Sequence, residues 1–220
     1  MDIKEIENQI INADCLDILK KLPDKCIDLV LTDPPYGIGE AAGKNKNRGL
    51  LAKPTDYGNK DWDNKIPKKE YFDEILRISK HAIIFGGNFF VKYLHNSACW
   101  LVWDKNNYGT DFADCELAWT NFKSAVRKYR WTWNGMLQED MKNKDIRIHP
   151  TQKPLKLFEM ILRDYSNEND LILDCFSGSG TTAVAAHNLK RRFICIEKDK
   201  EYYDASVERL KNAQAQLKLF

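Results

Sequence analysis

Between Leu171 and Glu197 the chain runs through a short apolar strand, a glycine turn, a helix and a second strand ending in an acid. Leu171-Ile172-Leu173-Asp174 is the first strand. Cys175-Phe176-Ser177-Gly178-Ser179-Gly180-Thr181-Thr182 is the turn, and Ala183 to Leu189 reads as helix. Arg192-Phe193-Ile194-Cys195-Ile196 is the second strand, with Glu197 at its tip. Parallel strands need a crossover of a dozen or more residues, usually a helix. Such a unit commits the chain to an α/β fold with a mostly parallel sheet. The remaining pattern agrees: strands at Gln9–Asn12, Ile27–Thr32 and Ala82–Phe85 alternate with helices at Leu16–Lys21 and Lys68–Ser79. Ala98–Trp103 and Cys115–Thr120 read as an antiparallel pair at the sheet edge. Pro154 opens a further helix and Asp199 caps the last one, positions that suit both residue types.

Glycines in the turn let the backbone approach a bound cofactor closely. Glu197 follows at about the distance, roughly 20 residues, where α/β nucleotide folds place a ribose-hydroxyl acceptor. The dinucleotide pattern G-x-G-x-x-G is not met, because Ala183 stands where the third glycine falls. Asp174, immediately before the turn, argues more strongly against a pyrophosphate, which it would repel. A cofactor with a ribose, a cationic group and no phosphate fits better, and S-adenosylmethionine has those properties.

A second constellation is Asp33-Pro34-Pro35-Tyr36, which ends the apolar strand Ile27–Thr32. Proline fixes φ and lacks an N–H, so two in succession make a stiff turn with carbonyls free to accept. The turn presents a carboxylate, a carbonyl and a flat ring in fixed geometry. That set suits a planar molecule carrying an NH2 group: the ring stacks on its face, and each acceptor takes one amine hydrogen.

Together these blocks resemble the amino-methylating DNA methyltransferases in their permuted β arrangement, in which the catalytic motif precedes the cofactor loop. The resemblance covers nearly the whole chain. It is carried by Asn12-Ala13-Asp14-Cys15-Leu16, Asp33-Pro34-Pro35-Tyr36-Gly37, Trp103-Asp104-Lys105, His149-Pro150-Thr151-Gln152-Lys153-Pro154, the loop from Asp174 to Thr182, Glu197 and Tyr202-Tyr203. Ser177 stands where many relatives carry Ala. The resemblance implies a Rossmann-like S-adenosylmethionine-dependent methyltransferase fold, formed as one domain over residues 1–220. Asp33 and the Pro34 carbonyl are then the amine acceptors, Pro35 completes the turn, and Tyr36 stacks on the target ring. Asp14 and the loop of Asp174, Phe176, Ser177, Gly178, Ser179, Gly180 and Thr181 hold the cofactor's adenosine and methionine parts. Glu197 takes the ribose hydroxyls, and Thr151, Gln152 and Lys153 lie near the methionine carboxylate, with Lys153 as its counter-charge. An Asp at the first motif position favours adenine N6 over cytosine N4 as the target. Cytosine-N4 methylation and a catalytically silent DNA-binding subunit are the competing readings.

The implied partner is double-stranded DNA, from which the target base must flip out to reach such a pocket. Two aperiodic segments are candidates for contacting it. The first, 37–67, carries Lys44, Lys46, Arg48 and Lys53 among Gly and Asn. The second, 122–148, occupies the place of target recognition in the family and holds Arg127-Lys128-Tyr129-Arg130-Trp131-Thr132-Trp133. From Asn121 to His149 there are seven basic residues against three acids, although the whole chain is only +2. Arg127, Lys128 and Arg130 suit phosphate contact. The alternative is a solvated loop in 37–67, and in the second segment an amphipathic strand that buries Tyr129, Trp131 and Trp133.

Composition narrows the remaining classes. A chain of 220 residues with 43 % hydrophobic content can bury a full core. No apolar stretch approaches the roughly 20 residues of a membrane span, so no membrane partner is expected. Six cysteines without C-x-x-C spacing read as buried thiols in a reducing compartment, with no metal site. A cytoplasmic, prokaryotic or phage-encoded protein is the expectation. The four histidines show no catalytic pattern. A homodimer and a cognate restriction endonuclease stay open as partners.

Overall fold

The computed structural model describes residues 1–39, 60–109, 113–134 and 137–216. In chain order its regular elements are β1 (Gln9–Asn12), α1 (Cys15–Leu19), β2 (Ile27–Thr32), α2 (Lys69–Ile78), β3 (Ser79–Phe85), β4 (Trp100–Asp104), β5 (Cys115–Thr120) and β6 (Arg127–Arg130). A small hairpin, β7 (Trp133–Asn134) and β8 (Leu137–Gln138), precedes α3 (Leu155–Tyr165), β9 (Leu171–Asp174), α4 (Thr181–Asn188), β10 (Arg192–Glu197) and α5 (Lys200–Ala215).

One eight-stranded sheet has the order β1-β10-β9-β2-β3-β5-β4-β6. From β1 to β3 every pairing is parallel. All four residues of β9 are buried, and β2 is buried except at Asp28. This is why both read as continuous apolar runs: helices cover each face of a parallel sheet. On one face Phe158 and Ile161 of α3 and Ala183, Val184, Ala185 and Ala186 of α4 join the core. On the other, Leu19 of α1 and Phe72, Ile75 and Ile78 of α2 do so.

The connections explain where a site can form. From β9 the chain crosses through α4 to β10, on one side. From β2 it passes through α2 to β3, on the other. Yet β2 and β9 are neighbours, with Leu29 beside Ile172 and Val30 beside Leu173. The crevice beyond their carboxyl ends is the topological switch point, where open α/β sheets bind ligands. The Asp33–Tyr36 turn and the glycine turn from Asp174 to Thr182, far apart in the chain, thereby follow neighbouring strands.

The antiparallel pair β4–β5 is present, and β5 also pairs antiparallel with β3. It does not form the edge itself, because β6 lies outside it, parallel to β4. Of the four residues in β6 only Tyr129 points inward; Arg127, Lys128 and Arg130 are exposed. Basic side chains on an edge strand discourage edge-to-edge pairing. The amphipathic-strand alternative therefore holds for Tyr129 and for buried Trp133, with Trp131 half-buried against the same core. Asp199 caps α5 as expected, accepting the Glu201 and Tyr202 N–H groups. Among the described residues no helix is long and apolar enough to cross a membrane.

Candidate active site

Because the strands run parallel, they deliver their carboxyl ends, and the residues just beyond, to one edge of the sheet. Asp33 follows β2, Asp174 ends β9, Glu197 ends β10, and Asp14 follows β1 as the cap of α1. A cavity of about 660 Å³ opens there, within the usual size of ligand sites. It brings together Asp33 and Pro35 from the turn after β2 with Asp14, Thr151, Gln152, Lys153, Asp174, Phe176, Ser177, Gly178, Ser179, Thr181 and Glu197. Pro34, Tyr36 and Gly180 are not part of its wall.

The glycine turn is held from several sides. Gly180 has φ +72, and a Cβ on it would meet the Ser206 Cβ at 3.0 Å. The Gly178 N–H donates to Glu197 Oε2 at 2.7 Å, while Glu197 Oε1 accepts from the Asp199 N–H at 2.8 Å. Burial raises the Glu197 carboxyl above its ordinary range, against these two donors. Asp174 acts as a rivet. Its Oδ1 accepts from Thr32 Oγ1 at 2.8 Å and its Oδ2 from Thr182 Oγ1 at 2.6 Å, joining β2, β9 and α4. Full burial nonetheless lifts its pKa to about 6. From α5, Arg209 Nη1 donates to the Ser179 carbonyl at 3.1 Å and to Thr181 Oγ1 at 2.9 Å. Asp14 accepts from Tyr71 and Lys198 as well as capping α1.

In the Asp33–Tyr36 turn, the Tyr36 hydroxyl donates to Asp33 Oδ1 at 2.6 Å. The Tyr36 ring stacks on Phe89, with centroids 4.8 Å apart and planes 13° from parallel. Gly86 makes room for it: a Cβ there would lie 2.1 Å from Tyr36 Cε1. Lys153 Nζ lies 2.5 Å from Asp33 Oδ2 and 3.2 Å from Glu116 Oε2. Glu116 pairs in turn with Lys105. The result is a chain of alternating charge, Asp33–Lys153–Glu116–Lys105, packed into the sheet. Burial raises the Asp33 carboxyl, Lys153 opposes this and Glu116 adds to it. Burial also works against the Glu116 charge, but Lys153 and Lys105 hold that carboxyl below its ordinary value. For Lys153 burial is outweighed by Asp33 and Glu116, which push its pKa to about 12.

Sequence reasoning placed Lys153 near a cofactor carboxylate; here its ammonium already bridges two protein carboxylates. It missed Glu116, whose only sequence signal was an acid inside the apolar strand Cys115–Thr120. Phe89 and Gly86 were likewise missed, although Gly86-Gly87 marks the end of β3. His149, given no role from sequence, is buried in the cavity wall between the rings of Trp62 and Tyr202, at 5.0 and 4.2 Å. Burial, with Lys153 nearby, depresses it to about 3, so it is neutral at any working pH.

The nucleic-acid candidates divide. Lys44, Lys46, Arg48 and Lys53 lie outside the described residues. Arg127, Lys128 and Arg130 are exposed on β6; Lys128 Nζ sits 3.3 Å from Asp104 Oδ2, and Arg130 Nη2 donates to Asn106 Oδ1 at 2.9 Å.

Residues 90–208 match the family described as DNA methylase, N6_N4_Mtase. The chain is 30% identical to Type II methyltransferase M2.DpnII of Streptococcus pneumoniae, over 91% of this chain and 88% of that one. Among solved structures, the M1.HpyAVI–SAM complex aligns with a TM-score of 0.54 at 29% identity, covering 92% of this chain and 98% of that one. The PvuII DNA methyltransferase, described as cytosine-N4-specific, aligns with a TM-score of 0.59 over 93% and 90% of the two chains; at 18% identity it speaks to the fold alone. With more than half its length matched and a 30% identical relative spanning nearly all of it, the chain belongs to the N6_N4_Mtase family of DNA methylases.

Proposed function

We propose that the protein transfers a methyl group from S-adenosylmethionine to the N6 amine of adenine in DNA, acting on a base flipped out of the duplex. The observation that carries this reading is the shared cavity, in which the Asp33 turn and the Asp174–Glu197 unit meet. Its lining fits that cofactor. Seven carboxylates face it against four lysines, a balance that favours a cationic ligand over a dinucleotide. Two of those lysines, Lys153 and Lys198, are themselves paired with acids. Each Glu197 oxygen accepts one backbone N–H, which leaves acceptor capacity for ribose hydroxyls.

When bound, S-adenosylmethionine supplies an electrophilic methyl. The protein's task is to make the amine a nucleophile. Its lone pair is delocalised into the base and becomes available only as the nitrogen turns tetrahedral. Asp33 and the Pro34 carbonyl, accepting the two amine hydrogens, stabilise that geometry more than the planar ground state. In the free protein both Asp33 oxygens are engaged, one by Tyr36 and one by Lys153. Lys153 can yield, because Glu116 offers it a second carboxylate. Tyr36, whose ring stacks on Phe89 in the free protein, is the ring that would stack on the flipped base.

Support for adenine over cytosine is the Asp at position 33; cytosine-N4 methylation is the second reading, since the same acceptors serve any exocyclic amine. The silent-subunit alternative has less support, because both motifs are intact and meet. The test is incubation with double-stranded DNA and methyl-labelled S-adenosylmethionine, then digestion to nucleosides. Label in N6-methyladenine is expected. Label in N4-methylcytosine alone would move the target to cytosine, and unlabelled DNA would refute the enzyme.

A further inference from the structure

The segment from Lys60 to Pro67 belongs to neither motif, yet it walls the active-site cavity. It is pinned at Lys60 and at Asp63. Lys60 Nζ lies 2.7 Å from Asp199 Oδ2 and 2.8 Å from Glu201 Oε2, at the start of α5. Asp63 Oδ1 accepts the Gly37 N–H at 2.9 Å, and the Asp63 carbonyl accepts the Gly39 N–H at 3.0 Å, just past the catalytic turn. Between these pins Trp62 faces the cavity, its ring 5.0 Å from that of His149. The indole Nε1 is buried. It leans toward the Tyr202 hydroxyl but, among the described residues, reaches no partner in hydrogen-bond geometry. Native proteins rarely keep a buried donor unpaired without a use for it. Here the donor sits in the wall of a ligand cavity, on a strap that two ion pairs hold in place.

Resting on the S-adenosylmethionine reading above, we propose that Trp62 is a cofactor contact. Its indole covers the bound molecule on the side of His149 and Tyr202, and its N–H donates to one of the molecule's acceptor atoms. The strap adds a second consequence. Asp63 holds Gly37 and Gly39, so the piece that covers the cofactor is bonded to the chain leaving Tyr36. Cofactor binding and the posture of the catalytic turn are thereby joined through one short segment.

Calorimetric titration with S-adenosylmethionine and with S-adenosylhomocysteine tests this on wild type, Trp62→Phe and Trp62→Ala. Phenylalanine keeps a ring and removes the donor, so affinity should fall about five- to tenfold. Alanine removes both, and the fall should reach about 30-fold or more. Trp62→Phe should melt like wild type without ligand, and should lose the part of the ligand-induced tryptophan fluorescence change that wild type shows. Should Trp62→Ala fail to fold, Trp62→Phe decides alone. A wild type that binds, beside a Trp62→Phe protein of equal affinity, overturns this inference only. A wild type that binds neither ligand overturns it together with the cofactor reading.

Discussion

Replacing Lys153 with methionine keeps the stem of the side chain and removes the cation that Asp33 and Glu116 share. Lys153 is 6% exposed, Asp33 16% and Glu116 20%, so solvent screens the loss only weakly. Breaking a buried ion pair from one side costs about 3–5 kcal/mol. The lower end, about 3 kcal/mol, is expected at about pH 8, because Glu116 keeps Lys105 and Asp33 keeps the Tyr36 hydroxyl. The sign of the pH dependence is fixed by Asp33, whose folded pKa is already raised by burial. Without Lys153 it rises further, so the folded variant takes up a proton that the unfolded chain does not. The deficit is therefore full above the raised folded value and fades as pH falls toward 3.8, the unfolded value. Urea unfolding of both proteins at about pH 8 and about pH 5 measures this. Adding Asp33→Asn to the variant should recover part of the loss, since Asp33 pairs with Lys153 and with no other cation among the described residues, whereas Glu116 keeps Lys105. The acid limb of the activity profile should also move to higher pH. Equal deficits at both pH values, or a loss below about 1 kcal/mol at the higher one, would show that the two carboxylates do not depend on Lys153.

Other expectations follow from the same geometry. Asp33→Ala should lower methyl transfer about 10²–10³-fold, the effect of losing one transition-state acceptor, while calorimetry shows cofactor affinity nearly unchanged; transfer above about a tenth of wild type refutes the role. Asp174→Asn removes an ionisation cost of about 3 kcal/mol near neutral pH, that of a carboxyl with a folded pKa of about 6 against 3.8 unfolded. It keeps only one of the acceptors used by Thr32 and Thr182, so the net gain in the ligand-free protein should be about 1 kcal/mol. That gain should vanish as pH falls through about 6 toward 3.8, and thermal melts across this range would expose a pH-independent change as a different cause. Replacing Arg127, Lys128 and Arg130 together with Gln should flatten the slope of log DNA affinity against log salt by about two to three units, with little change in melting temperature. An unchanged slope would remove β6 from the DNA interface.

Much of the architecture was legible because its buried acids sit at strand ends. Asp33, Asp174 and Glu197 each stand where an apolar run stops, and parallel strands must bring such ends to one edge. Asp199 was readable as a cap from its position alone. The charge network was not. Lys153 was read as the counter-charge of a cofactor carboxylate, since nothing local shows that β5 lies between β3 and β4 and carries Glu116 to it. β6 was legible only in part: the alternation Tyr129, Trp131, Trp133 offered an amphipathic strand, while its three basic residues, which face outward, offered a nucleic-acid contact instead. Trp62 and Phe89 gave no signal, because their importance lies in rings contributed by His149 and Tyr36 from distant parts of the chain. The outward charges of β6 had suggested nucleic acid, while the alternating Tyr129 and Trp133 turned out to be anchored in the core.

The two hydrogen bonds that Asp63 makes to Gly37 and Gly39 tie the backbone just past Tyr36 to the strap that carries Trp62. One side chain and its own carbonyl thus fix the spacing between two stretches of chain that meet only at the cavity mouth. A substitution at Asp63 removes the carboxylate that the Gly37 N–H donates to and leaves the ladders of β2 and β9 unaltered. The alignment of the mouth and the integrity of the sheet are therefore separable properties, set by different residues.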